Sequence, residues 1–254
     1  MFFAVTQIIA HRGASKFAPE NTLAAFQLAE KMGADGIELD IHLTKDQIPV
    51  IIHDTDIKRT TNGRGFVQKF TYKELQQYDA GSWFSERFSD ERILSLEEFF
   101  AWILPKDLFV NIEMKTKVIR YPNIEKIVFQ LIREYGLENR VIISSFNPHT
   151  LYRMRELHPN IELALLSKVA FRNIQQYLAD TGANVMHIKS RLLSSRMVRA
   201  MNHHDIPFRV YTVNRKSTFK QCVDKNAAGI ITDRPDLFSM NETVHQNEQH
   251  LDEL

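Results

Sequence analysis

Apolar, largely β-branched runs recur along the chain with helix-like stretches between them. They are QIIAH (7–11), GIELDIHL (36–43), LFVNIEM (108–114), VIISSF (141–146), IELALLS (161–167), NVMHIK (184–189), FRVYTV (208–213) and GIITD (229–233). This alternation predicts βα units around a parallel sheet. Eight such units in 254 residues match the size and rhythm of a (β/α)8 TIM barrel, with a doubly wound open sheet as the competing arrangement. The intervening helices carry ordinary signals. NTLAAFQLAEKMG runs from a cap at Asn21 to a terminating Gly33, and SLEEFFAWI sets Ser95 and Glu98 at capping-box spacing.

A ninth run, PVIIHD (49–54), follows the second too closely for a parallel crossover, so it reads as the return strand of a hairpin. A turn centred on Lys45-Asp46 would bring His53 opposite Glu38. The rhythm then breaks over residues 55–94, which hold seven aromatics (Phe66, Phe70, Tyr72, Tyr78, Trp83, Phe84 and Phe88). That is too many for a solvated linker and predicts a small insertion between the second strand and the second helix. Residues 239–254 are polar and predict a loosely docked tail. Residues 1–254 thus read as a single barrel domain with one insertion.

Composition narrows the function classes. With 44% hydrophobic and 25% charged residues the chain can bury a full core, and 32 basic against 31 acidic residues create no field that would recruit nucleic acid or an anionic membrane. Any charged ligand must be caught locally. No signal peptide, stable membrane anchor or membrane span is legible, and the closing LDEL reads as a coincidence rather than a retention signal. Cys222, the one cysteine, rules out an intrachain disulfide and reads as a helix-packing residue in a reducing compartment, so a cytoplasmic protein is expected.

In a barrel the C-terminal strand ends form the open mouth and hold the chemistry. Here those ends are polar almost throughout. Alternation puts Glu38, Asp40 and His42 on one face of the second strand, and Asn111, Glu113 and Lys115 on one face of the third. Converging carboxylates repel one another unless a cation sits among them, and oxygen ligands suit Mg2+ or Ca2+ rather than Zn2+. The alternative is a structural network in which Arg12 and Lys115 neutralise the acids. His42 reads as a polar neighbour, His203-His204 as a helix-end pair, and the glycines of TTNGRG as turn residues.

Four blocks carry a family resemblance. AHRGASKFAPENTLAAF, GADGIELDIHLTKDQIPVIIHD, NIEMK and GIITDRPD, in this order and spacing, resemble the signature of the glycerophosphodiester phosphodiesterases, over a match from His11 to about Asp236. The segments RTTNGRG, LQQYDAGSWF and ILSLEEF resemble that family's insertion. Two positions depart from it: Leu94 stands where proline is common, and Tyr211 where tryptophan is frequent.

The resemblance implies metal-dependent hydrolysis of glycerophosphodiesters to glycerol 3-phosphate and an alcohol. It makes His11 and His53 the general acid-base pair, Glu38, Asp40 and Glu113 the ligands of one Mg2+ or Ca2+, and Arg12 and Lys115 the phosphate-binding cations. Gly13 would leave backbone room for the phosphate. Tyr211 would lie on the glycerol or alcohol side. Apart from the resemblance, the insertion's place after the second strand sets it over the mouth, so Trp83 and Phe84 are expected to line the alcohol side and offer aromatic faces to a choline-like cation, the competing reading being that they only pack the insertion against the barrel. The implied partner is a small-molecule glycerophosphodiester. Two rival readings are a phospholipase D-like enzyme of the same architecture acting on lysolipids or sphingomyelin, and a non-catalytic phosphate-binding barrel.

Overall fold

The computed structural model describes residues 6–238. The expected loose tail, 239–254, and the LDEL ending within it lie outside the described residues. Nine strands form one sheet: β1 Gln7–His11, β2 Gly36–Leu43, β3 Pro49–Ile51, β4 Phe109–Met114, β5 Val141–Ser145, β6 Glu162–Ser167, β7 Val185–Lys189, β8 Phe208–Tyr211 and β9 Gly229–Thr232. All except β3 are parallel, in the order β1-β9-β8-β7-β6-β5-β4-β2, and pairing of β1 with β2 closes the ring into a (β/α)8 barrel. The helices are α1 Leu23–Lys31, α2 Tyr72–Leu75, α3 Leu96–Ile103, α4 Ile124–Glu134, α5 Pro148–Leu157, α6 Ile174–Thr181, α7 Arg196–His203 and α8 Lys216–Asp224. Among the described residues, none of them is long and apolar enough to cross a membrane.

Side-chain alternation explains why these strands close. Ile37, Leu39, Ile41 and Leu43 of β2 join Phe26, Phe99 and Phe100 in the core between sheet and helices. Their alternates Glu38, Asp40 and His42 are also buried, on the opposite face. Two smaller apolar groups, Ile9 with Leu166, Tyr211 and Ile231, and Ile142 with Ala164 and Val185, come from the remaining strand faces and fill the barrel. Cys222 is buried in α8, as a packing residue should be.

Local signals set the element ends. At α3, Ser95 Oγ accepts from Glu98 N at 3.1 Å while Glu98 Oε2 accepts from Ser95 N at 2.9 Å, completing the expected capping box. The cap of α1 is Thr22, not Asn21. Asn21 takes a left-handed conformation (φ 62°) and turns its amide toward the mouth instead.

The hairpin forms as expected but with a different register. Ile41 faces Ile51 and Leu43 faces Pro49. The loop is one residue longer than a tight turn at Lys45-Asp46: Thr44 N donates to Ile48 O at 3.1 Å across a left-handed Gln47. Extending that register would set His53 across from Leu39 rather than Glu38, but β3 ends at Ile51 and His53 reaches the mouth beyond the pairing.

Between β3 and α3, the insertion builds its own apolar cluster from Val50, Ile52, Ile57, Val67, Leu75, Ala80 and Ile93, with Phe70, Tyr72 and Tyr78 against it. Phe66, by contrast, is half-exposed at 52%.

Gly13 has a structural task. Its φ is 83°, and a Cβ there would stand 2.6 Å from the backbone of Ala25 in α1. The close approach is sealed by Ala14 N donating to Ala25 O at 2.9 Å. The glycine therefore makes room for a helix, a task separate from the room for a phosphate that the resemblance implies. Gly13→Ala should cost on the order of 3 kcal/mol through left-handed strain and overlap. Thermal denaturation should show a midpoint lowered by roughly 5–10 °C. An unchanged midpoint with activity lost would favour the phosphate reading.

Candidate active site

Register assembles the acidic centre. Asp40 of β2 pairs with Glu113 of β4, and Glu38 pairs with Asn111 one step below on the same face. Ligand oxygens of Glu38, Asp40 and Glu113 all lie within 4.8 Å of one another, and all three residues are buried. Burial, and then the negative charge of Asp40, push the Glu38 carboxyl up to about 8. Burial and Asp40 also raise Glu113. Burial would raise Asp40 too, but the Arg12 guanidinium, followed by Lys115 and His53, holds it well below the usual carboxylate range. Asp40 is thus favoured in its ionised form, whereas burial and the neighbouring Asp40 disfavour the charged forms of Glu38 and Glu113.

The two cations expected at the phosphate brace this cluster. Arg12 is left-handed (φ 57°), its N donates to Glu38 Oε2 at 3.0 Å, and its Nε stands 3.1 Å from Asp40 Oδ2. Its Nη1 donates to Glu20 at 2.8 Å, and Glu20 is held in turn by both Arg59 Nη atoms. Lys115 Nζ donates to Glu113 Oε1 at 2.8 Å and lies 3.4 Å from Asp40 Oδ1. The ion-pair network considered as an alternative is therefore present, yet it leaves buried atoms unserved. Among the described residues Asn21 Oδ1, Asn111 Oδ1 and Ser144 Oγ have no hydrogen-bond partner, and Asp40 Oδ1 has only its ion pair with Lys115. Asn111 and Ser144 are the strand partners of Glu38 and Glu113. Orphaned oxygens around three carboxylates are what a hard, oxygen-seeking cation fits, and these residues could hold a metal ion.

Each expected histidine is oriented by a carboxylate. His11 Nδ1 lies 2.6 Å from Asp233 Oδ1, which ties the end of β1 to the residue after β9. His53 Nδ1 lies 2.5 Å from Asp54 Oδ1, itself gripped by Arg59 Nε at 2.6 Å. The two imidazoles are biased in opposite senses. Burial lowers His11, but the Asp233 hydrogen bond and then Glu38 outweigh it and raise its pKa overall. Burial lowers His53, with Arg12 and Lys115 adding to the effect against the pull of Asp40.

His42 is more than a polar neighbour. It is buried and neutral, pushed down to about 4 by burial. Its Nε2 must donate to the His53 carbonyl at 3.1 Å, so its Nδ1 accepts from Tyr121 Oη at 2.7 Å. This chain of bonds fixes the backbone that carries His53. Asp233, Asp54, Glu20 and Tyr121 were missed as site residues by sequence reasoning. The aspartates stand inside the quoted HD and TDRPD blocks, which was the available signal.

His11, Arg12, Glu38, His53, Glu113 and Lys115 all line one cavity of about 870 Å³ at the strand C-termini. Tyr211 lines it too, its Oη donating to Ser167 O at 3.0 Å. Trp83 and Phe84 do not line this cavity, contrary to expectation. Trp83 donates Nε1 to Ala80 O at 2.8 Å and meets Phe84 edge-on, and Phe84 meets Phe88. The three rings contact one another on the insertion, with Trp83 exposed and Phe84 and Phe88 partly buried. The aromatic part of the cavity wall is Phe146, Phe171, Tyr177 and Tyr211.

Comparison with known proteins bears on this geometry. The model of the glycerophosphoryl diester phosphodiesterase family matches residues 11–237. A glycerophosphodiester phosphodiesterase of Caldanaerobacter subterraneus subsp. tengcongensis is 42% identical over 231 residues, 91% of this chain and 95% of that protein. Among solved structures, an Oleispira antarctica phosphodiesterase in complex with the product sn-glycerol-3-phosphate is similar with a TM-score of 0.82 at 30% identity, covering 91% of this chain and 94% of its own. A glycerophosphodiester phosphodiesterase from Agrobacterium tumefaciens gives 0.79 at 28% identity, with 92% and 99% covered. The family match takes in both histidines, all three carboxylates and the closing Asp233, and by it this chain belongs to the glycerophosphoryl diester phosphodiesterase family.

Proposed function

We propose that the protein hydrolyses glycerophosphodiesters to glycerol 3-phosphate and an alcohol, with Mg2+ or Ca2+ held by Glu38, Asp40 and Glu113 and with His11 and His53 as the acid-base pair. The observation that carries this reading is a buried cluster of three carboxylates, two of which line one cavity together with two carboxylate-oriented histidines. The product bound in the Oleispira antarctica structure supports it. The one buried cysteine is in keeping with a cytoplasmic site of action.

When bound, the divalent ion neutralises charge on the phosphodiester that would otherwise repel a nucleophile. Arg12 and Lys115, at the same rim, supply further positive charge to the phosphate oxygens. His53, biased toward the neutral form, takes the proton from a glycerol hydroxyl beside the phosphate. That oxygen bonds to phosphorus as the bond to the departing alcohol breaks. His11, biased toward the imidazolium, gives its proton to the alcohol oxygen. Water then opens the cyclic phosphate, with the histidines exchanging roles.

With glycerophosphocholine as substrate, a coupled assay should detect glycerol 3-phosphate only when a divalent ion is supplied, and a chelator should abolish it. Choline phosphate with free glycerol as products, or full activity in metal-free protein, would sink the reading.

His11→Ala and His53→Ala should each reduce kcat by roughly 10²–10⁴. The double variant should be scarcely worse than either, because groups in one proton relay are not additive. Two losses that multiply would show that the histidines act independently.

Asp233→Asn leaves an oxygen that can accept from His11 Nδ1 but removes the carboxylate charge that helps raise His11. A lowered acid pKa moves the alkaline limb of the kcat/KM profile to lower pH and leaves the acidic limb, set by His53, in place. If the acidic limb moved instead, the assignment of acid and base would be reversed.

A further inference from the structure

The mouth cavity has a second wall, formed by the loop after β4 and the ends of β5–β8, whose chemistry the reaction above does not use. Three lysines stand on it. Lys117 and Lys168 bring their Nζ atoms to 5.8 and 5.3 Å from the centroid of the Phe146 ring. Lys189 Nζ lies 5.7 Å from that of Tyr211, and the two rings meet edge-on at 6.3 Å. All three lysines line the cavity, and among the described residues none of them is in an ion pair.

The acids that line the same cavity are committed elsewhere. Glu38 accepts from Arg12 N, Asp54 holds His53 and Arg59, and Glu113 holds Lys115. Beyond the lip formed by Lys117, Val118 and Phe146 lies a second cavity of about 920 Å³ that shares these three residues. It adds Arg120, Lys126 and Arg153 against Glu125 and Glu156, so it too carries more positive than negative side chains. The faces of Phe146 and Tyr211 that would attract a choline-like cation are thus already taken by the protein's own ammonium groups. Ammonium groups gathered on one wall repel one another and attract an anion placed between them.

We propose that this wall selects glycerophosphodiesters bearing a second anionic group, a second phosphate in the first place, seated at the lip where Lys117 and Lys168 flank Phe146. The inference rests on the phosphodiesterase reading and names the substrate class for it.

The test compares kcat/KM for bis(glycerophospho)glycerol, which carries two phosphodiesters, with that for glycerophosphocholine, using full-length protein with Mg2+ or Ca2+ present. The doubly charged substrate should be preferred roughly tenfold, the effect of two exposed charge contacts. The preference should shrink as ionic strength rises. In the Lys117→Gln/Lys168→Gln double variant the ratio should fall toward one, with far-ultraviolet circular dichroism confirming an intact fold. Cleavage of both substrates with no preference, or a ratio unmoved in the variant, overturns this inference and leaves the phosphodiesterase reading standing. Failure to cleave either substrate overturns both.

Discussion

A fully buried carboxylate, Asp40, is the constraint around which the mouth of this barrel is arranged. An ionised group taken out of water is tolerated only when it is paired and hydrogen-bonded. The loop from β1 to α1 meets that demand at two separate residues. Arg12 and Asn21 both adopt left-handed backbone conformations, uncommon for non-glycine residues, and both direct side chains to Asp40 Oδ2. Such conformations cost roughly 1–3 kcal/mol each, so the surrounding structure must over-determine them. The supports are visible: Arg12 N is bonded to Glu38, Asn21 N to Arg12 O, and Gly13 lets the loop lie against α1.

Much of this was legible in the sequence. The eight barrel strands stood out because their apolar runs are short, regularly spaced and end in polar residues. Convergence of Glu38, Asp40 and Glu113 followed from period-two alternation, which is as strict in the fold as in the text. What escaped were contacts between residues far apart in the chain that no local period announces. The His11–Asp233 bond spans 222 residues and His42–Tyr121 spans 79. Asn21 resembled a helix cap because asparagine and the following threonine are both good capping residues, and burial next to Asp40 decided between them. The hairpin register was misread by one residue because loop length is not written in the strand pattern. Trp83 and Phe84 were placed at the mouth by the position of the insertion after the second strand and by their aromatic character, whereas they contact each other, Phe88 and the Ala80 carbonyl, with Trp83 left exposed.

The mouth is electrically divided. β1, β2 and β4 present the carboxylates and the cations that brace them, whereas β5–β8 present aromatic rings topped by lysines. A phosphodiester bound as proposed, across the barrel axis, would touch both halves. The first half is shaped by the need to bury charge, and its side chains are locked by one another. The second is more exposed, and among the described residues its lysines are in no ion pair. A tightly paired half beside an unpaired one is a division of labour that a ring of separately varying strand ends makes available.

The bond between His11 and Asp233 also crosses the seam at which the barrel closes. His11 ends the first strand and Asp233 follows the last, so the imidazole gains its orienting partner only when β9 has docked beside β1. Translation delivers these two residues at opposite ends of its time course. In the folded ring the aim of the His11 imidazole is therefore set by closure at the β1–β9 seam, and a change that loosens that seam would disturb His11 without any substitution at the mouth.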